Sequence, residues 1–198
     1  GGAASTGNAV KGNYIGLDQT GTVRIIGSNN TDYGVELFAS ASGNMIGGSA
    51  AGEGNVISGQ TAYGVITVST AAAGNSVLGN IIGPQADGIT LVASNIQANG
   101  VYISDSPNNI IGNTGALEKN IISANNTYGV HITGSASTGN LVRGNYIGPS
   151  SALANIGSSS QDYVVYIIAS ASSNTIGGSA AGEANKIAFN TGDGIYVY

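Results

Sequence analysis

The stretch Asn44-Met45-Ile46-Gly47-Gly48-Ser49-Ala50-Ala51-Gly52-Glu53-Gly54-Asn55-Val56-Ile57-Ser58 recurs twice further along the chain, as NIIGNTGALEKNIIS over 109–123 and as NTIGGSAAGEANKIA over 174–188. Asn44, Asn109 and Asn174 open the three copies at a spacing of 65 residues, and Asn55, Asn120 and Asn185 keep the same step. The phrase GNYIG at Gly12 returns as GNIIG at Gly79 and as GNYIG at Gly144. Self-similarity at a fixed period marks an architecture in which each unit buries its apolar face against the next. Three units of about 66 residues, near 1–69, 70–133 and 134–198, account for residues 1–198 as one repetitive domain.

Each unit divides again. A short phrase of the type YGV stands at Gly34, Gly64, Gly100, Gly129, Val164 and Gly194, so a short turn of the chain alternates with a long one and six turns result. Every turn holds three apolar segments, one after the glycine-valine phrase and two that open with Asn. They alternate with period two, as half-buried strands do, and Gly or Asn interrupts every window long enough for a helix. Val101, Val130, Val165 and Ile195 read as one inward column, Ile15, Ile82 and Ile147 as another, and Ile57, Ile122 and Ile187 as a third. The expected fold is all-β: a single-stranded parallel β-helix of about six turns with three strands per turn, ~29 Å tall at the usual strand spacing. The crossover rule for parallel strands makes it right-handed.

Asn is the non-glycine residue that best tolerates the left-handed conformation, and its amide can bond to an identical amide one turn above. Asn8, Asn13, Asn44, Asn55, Asn75, Asn80, Asn109, Asn120, Asn140, Asn145, Asn174 and Asn185 supply two such residues per turn and are expected to form internal ladders.

Composition narrows the function. Charged residues make up 8% of the chain, so the surface must consist largely of Ser, Thr, Asn, Gly and Ala. A net charge of −5 with five scattered basic residues leaves no footprint for nucleic acid or an anionic membrane. No apolar run is long enough to span a bilayer, and no signal peptide stands at Gly1. The absence of an initial Met reads as a processed or excerpted segment. Zero cysteines remove a disulfide framework and suit a secreted bacterial protein.

The phrases TIGGSAAGEANKI at 175–187, GGSAAGEGNVISG at 47–59 and GNYIG resemble the right-handed parallel β-helix repeats of large bacterial secreted and cell-surface proteins, in the pectate-lyase-like superfamily of β-solenoids. The resemblance runs over essentially the whole chain. It implies the coil, and it admits pectin-degrading enzymes, tailspikes, adhesins and passive stalks alike.

The chemistry of the enzymatic members is not written in these residues. A glycosidase needs two carboxylates about 5 to 9.5 Å apart across one bond. Glu53, Glu118 and Glu183 instead form a file repeated in every unit, which reads as architecture. The Asp-Asp, Gly-His-Gly and Arg-Ile-Lys signatures of the pectin-cleaving members are missing. His131 is the single histidine, read as exposed between Val130 and Ile132 with no Ser or acid to serve. Asp18, Asp32, Asp87, Asp105, Asp162 and Asp193 lack the spacing of a calcium-binding nonapeptide. Gly47 to Gly54 has no following Lys-Ser/Thr, so no phosphate loop forms. No catalytic, metal or cofactor residue is expected, and no cofactor. Asn29-Asn30-Thr31 and Asn125-Asn126-Thr127 fit the N-glycosylation sequon.

The outer faces are apolar for so polar a chain. Glu36, Tyr102, His131, Tyr166 and Tyr196 share one outward column, Tyr14, Ile81 and Tyr146 a second, and Met45 with Ile110 and Val56 with Ile121 fill the remaining faces. Tyr14, Tyr102, Tyr146, Tyr166 and Tyr196 are therefore the candidate contact residues, for another rod, a covering loop or a carbohydrate. The long loops Gln85 to Ala98 and Pro149 to Gln161 are placed to cover one face.

The segment 2–8 matches 134–140, which follows the strand at 129–132, and the chain ends on the corresponding strand at 194–198. No capping helix or charged end strand is visible, and open coil ends recruit other edges. The expected protein is an extracellular or cell-surface scaffold, a module of a filament, stalk or adhesin that stacks head to tail with its own kind. The alternative is a β-helix that binds or processes carbohydrate.

Overall fold

A computed structural model describes residues 4–25, 32–156 and 161–198. The sequon at Asn29 lies outside the described residues, as do Gly2 and Ala3 of the segment that matches 134–140.

The chain winds through eighteen short strands. The first turn holds β1 (Ala9–Val10), β2 (Tyr14–Ile15) and β3 (Tyr33–Phe38); the second β4 (Met45–Gly47), β5 (Val56–Ile57) and β6 (Tyr63–Val68). The third holds β7 (Ser76–Leu78), β8 (Ile81–Ile82) and β9 (Asn99–Ser104); the fourth β10 (Ile110–Ile111), β11 (Ile121–Ile122) and β12 (Tyr128–Thr133). The fifth holds β13 (Leu141–Val142), β14 (Tyr146–Ile147) and β15 (Tyr163–Ile168); the sixth β16 (Thr175–Ile176), β17 (Lys186–Ile187) and β18 (Ile195–Val197). Equivalent strands pair in parallel into three sheets of six: β1-β4-β7-β10-β13-β16, then β2-β5-β8-β11-β14-β17, then β3-β6-β9-β12-β15-β18. No helix occurs among the described residues. The protein is an all-β parallel solenoid of six turns with three strands per turn.

Stacking in register makes the core a set of columns. Ile15, Ile57, Ile82, Ile122, Ile147 and Ile187 stand directly above one another. The two isoleucine columns expected from the sequence are thus one, with members from short and long turns alternating. Likewise Tyr14, Val56, Ile81, Ile121 and Tyr146 form a single outward column that ends at Lys186, not two. Val35, Val65, Val101, Val130, Val165 and Ile195 form the column expected on the third sheet. Ile57, Ile82, Ile122 and Ile147 are fully buried, and each fully buried isoleucine contributes about 1.5–3 kcal/mol.

Both asparagine ladders are present. One climbs Asn8, Asn44, Asn75, Asn109, Asn140 and Asn174, with Nδ2 of each donating to Oδ1 of the next at 2.8 to 3.3 Å. The other climbs Asn13, Asn55, Asn80, Asn120, Asn145 and Asn185 at 2.9 to 3.2 Å. From the second turn upward each Oδ1 also accepts the backbone N–H of the ladder asparagine below, so a corner amide that no strand could satisfy is paired by the ladder. The left-handed residue at these corners is not the asparagine itself. In the first ladder it is the residue before it, Gly7, Gly43, Gly74, Asn108, Gly139 or Ser173, with φ between 57° and 69°. A third amide column, absent from the sequence reading, lies at the remaining corner. There Gln60, Gln97, Asn125 and Gln161 are buried, and Gln97 Nε2 donates to Asn125 Oδ1 at 2.7 Å. The sequon asparagine Asn125 is therefore an interior residue.

The glutamate file is architectural at each level. Oε2 of Glu53 accepts the N–H groups of Ser49 and Ala50, that of Glu118 accepts Gly115 N–H, and that of Glu183 accepts Ala180 N–H. Lys11 pairs with Glu53 at 2.8 Å and Arg143 with Glu183 at 2.7 Å. The Lys11 bond, ahead of the backbone donors, holds the Glu53 carboxyl below its ordinary range, and the Ala180 N–H, ahead of Arg143, lowers Glu183 in the same way.

Candidate functional site

The second sheet is covered by the protein's own loops. The segments after β2 and β8 fold back over it and bury Leu17 and Val92 against Val56, with Ile81 and Ala86 at the margin. Gly21 O accepts Ala86 N–H and Gly88 O accepts Ser151 N–H, both at 2.9 Å, so the loops of alternate turns bond to one another. Tyr14 stays exposed and lines a cleft of ≈ 350 Å³ together with Gly12, Gly52, Gly54 and Gly79. Tyr146 is engaged by Lys119, whose Nζ donates to the phenol at 3.2 Å and lies 4.3 Å from the ring centre. Of the five tyrosines singled out in the sequence, these two lie apart from the rest.

The third sheet is different, because its outer face carries a continuous file of aromatic rings. Tyr33 stacks on Tyr63 at 5.3 Å, and Tyr63 on Tyr102 at 4.5 Å. His131 meets Tyr102 edge-on at 4.9 Å and Tyr128 at 4.7 Å. Tyr128 then stacks on Tyr166 at 4.6 Å, Tyr166 on Tyr196 at 5.1 Å, and Tyr196 on Tyr198 at 6.5 Å. Tyr163 packs beside Tyr166 at 5.0 Å. Eight of the ten tyrosines stand here.

Strict alternation hides half of this file. Tyr33 is two residues from Val35 and should share its inward side, and the same holds for Tyr63 with Val65 and Tyr128 with Val130. The intervening glycine also faces the core: a Cβ at Gly34 would lie 2.4 Å from Ile57 Cγ2, and one at Gly129 2.5 Å from Ile147 Cγ2. Two successive residues turn inward, and the tyrosine before them is thrown out beside the Tyr102 column. The recurring tyrosine of the YGV phrase was the available signal, and Gly34 explains why it had to be read against the period.

Asn99 occupies the tyrosine position in the third turn, in register with Tyr63 on one side and Tyr128 on the other. It splits the file into two tyrosine runs, bridged by His131. That histidine faces outward as expected, yet it is half-buried under rings rather than exposed. Neither ring nitrogen has a hydrogen-bond partner among the described residues, and burial lowers its pKa to about 4. Burial, then the neighbouring phenols Tyr102 and Tyr33, raises the pKa of Tyr63, and Tyr128 is raised by burial and by Tyr166 and Tyr163. The face is thus mainly aromatic, with the exposed carboxylate Glu36 in the same outward column at its first-turn end. Such a surface can stack on planar or pyranose rings and can lose electrons. Among the described residues, no three His, Asp or Glu side chains gather closely enough to hold a metal ion.

Compared with known protein families, with curated proteins and with solved structures, the chain has no match in any of the three.

Proposed function

We propose that the protein is a non-enzymatic structural scaffold, a rod-like β-solenoid module of an extracellular filament, stalk or adhesin that associates end to end. The observation that carries this reading is the polarity of the ladders. Asn8 Oδ1 and Asn13 Oδ1 in the first turn accept no bond among the described residues, whereas the backbone N–H groups of Asn174 and Asn185 in the sixth turn have no acceptor there. Acceptors at one end face donors at the other, as a head-to-tail contact requires. Among the described residues, apolar side chains are also uncovered at the first and the sixth turn. Ile195 and Val197 are exposed at the sixth turn, and an opening of ≈ 330 Å³ at the first turn is lined by Val10, Leu37 and Ile46. A coil joined this way would keep its alternation of long and short turns, because the sixth is short and the first is long. The kinship suggested by the repeat phrases, with bacterial β-helix surface proteins, favours the extracellular setting.

Electron microscopy and sedimentation of the purified chain test it. Rods whose length grows with concentration are expected, shortened by Val197→Lys, which puts a charge on the open edge. Single 19.4 kDa particles at every concentration would refute end-to-end association.

A second reading, a carbohydrate-binding face, is favoured by the aromatic file, since successive rings at strand spacing can stack along an extended glycan. Binding on a glycan array that disappears with Tyr102→Ala would support it, and no binding to any glycan would remove it.

A further inference from the structure

The tyrosine file holds two ring pairs whose geometry goes beyond packing. Tyr63 and Tyr102 lie at 4.5 Å with ring planes 12° apart, and Tyr128 and Tyr166 at 4.6 Å with planes 3° apart. In each pair the partners belong to successive turns. None of the four phenols is held by a hydrogen bond among the described residues, so each hydroxyl is free to release its proton to water. The chain has no Trp and no Cys, and its one Met, Met45, lies on the first sheet. Tyrosine is therefore the side chain that a one-electron oxidant will find. Tyr33 and Tyr198, exposed at the two ends of the file, give such an oxidant its entry points.

We infer that the aromatic file is an oxidative crosslinking site, in which Tyr63 couples to Tyr102 and Tyr128 to Tyr166 as dityrosine, the co-reactant being hydrogen peroxide acting through a haem peroxidase. Each phenol of a pair loses one electron to the oxidant and one proton to water. The two ring radicals form one carbon–carbon bond between their ortho positions. The hydrogens displaced from those carbons return to the phenolic oxygens, so each crosslink costs the protein two hydrogens and reduces one peroxide to two waters. Ring centres already in contact need to tilt, not travel, and this proximity favours coupling within the chain over coupling between chains. The product staples the second turn to the third and the fourth to the fifth in a protein without disulfides, closing long loops of the unfolded chain as a disulfide would.

Treating the full chain with a haem peroxidase and hydrogen peroxide tests the assignment. A monomeric product with dityrosine fluorescence is expected, two hydrogens lighter per crosslink, whose peptide map joins Tyr63 to Tyr102 and Tyr128 to Tyr166. Tyr102→Phe with Tyr166→Phe keeps the rings packed and should abolish both links, whereas Tyr14→Phe with Tyr146→Phe should leave them unchanged. Chain unfolded in urea should lose the intramolecular product. The inference is overturned if the folded chain yields no dityrosine, if crosslinks form only between molecules, or if the links map to Tyr14 or Tyr146. Equal yields from the unfolded chain would overturn it as well. Mapping on the wild-type protein decides the matter even if a variant does not fold.

Discussion

Asn120 Oδ1 accepts two hydrogen bonds from Asn80 one turn below, from the backbone N–H at 2.9 Å and from Nδ2 at 3.1 Å. Asn120 in turn donates Nδ2 to Val77 O at 2.8 Å and to Asn145 Oδ1 at 2.9 Å. All of these groups are buried, and each one left unpaired costs about 1–3 kcal/mol. Asn120→Ala should therefore destabilise the protein by about 3–6 kcal/mol, measured as a shift in the urea midpoint. Asn8→Ala, at the exposed foot of the other ladder, should cost less than about 1 kcal/mol. Equal effects of the two substitutions would show that the ladder carries no special share of the stability.

Backbone handedness and steric room can be separated at two glycines. Gly47 and Gly74 both have positive φ, 85° and 67°. A Cβ at Gly47 would lie 1.9 Å from Leu78 O, whereas one at Gly74 meets nothing within 4 Å. Gly74→Ala should cost only the left-handed strain, about 1–2 kcal/mol, in keeping with Asn108 and Ser173 at the equivalent corners. Gly47→Ala should prevent the native fold, as circular dichroism and the yield of soluble protein would report.

His131 makes stability depend on pH. Its folded-state pKa of about 4 lies below the unfolded value of 6.5, so the unfolded chain binds the proton first. Stability is full above about pH 6.5 and falls as the pH drops towards about 4. The ring is only partly shielded from water, so the loss should be about 1–2 kcal/mol, less than the whole shift implies. Glu53, Glu183, Asp18 and Asp87 have lowered pKa values, so their contributions are present above the ordinary carboxylate range and disappear only below it. His131→Phe should flatten the dependence between pH 6.5 and about 4.5 while leaving the acid limb. Urea titrations of both proteins at pH 7 and pH 5 read the difference.

The loops over the second sheet are part of the packing. Val92 is fully buried against Leu17 and Val56. Val92→Ala removes two methyl groups and should cost about 1–2 kcal/mol, seen as a lower melting temperature. No change would mean that the loop detaches readily from the sheet beneath it.

How much of this was legible beforehand follows from the geometry of the coil. Asn44, Asn109 and Asn174 could be aligned because turns of the same kind recur at a constant step. Asn44 and Asn75, which actually touch, could not be paired by spacing alone, since the corners between them differ in length. For the same reason Ile15, Ile57 and Ile82 read as members of two columns, although they form one. The tyrosines before Gly34, Gly64 and Gly129 were visible as letters but not as a surface, because a pair of inward-facing residues breaks the two-residue period.

The amino-acid order by itself determined the short strands, the coil, its apolar interior and the asparagines at its bends, because these are properties of a local pattern that each turn repeats. Only the folded chain decided which faces are covered and which are bare, that His131 sits under rings and Asn125 inside, and that eight tyrosines meet in one file. Those outcomes depend on side chains from neighbouring turns arriving at the same height, and that height is set by corners whose lengths no local pattern specifies.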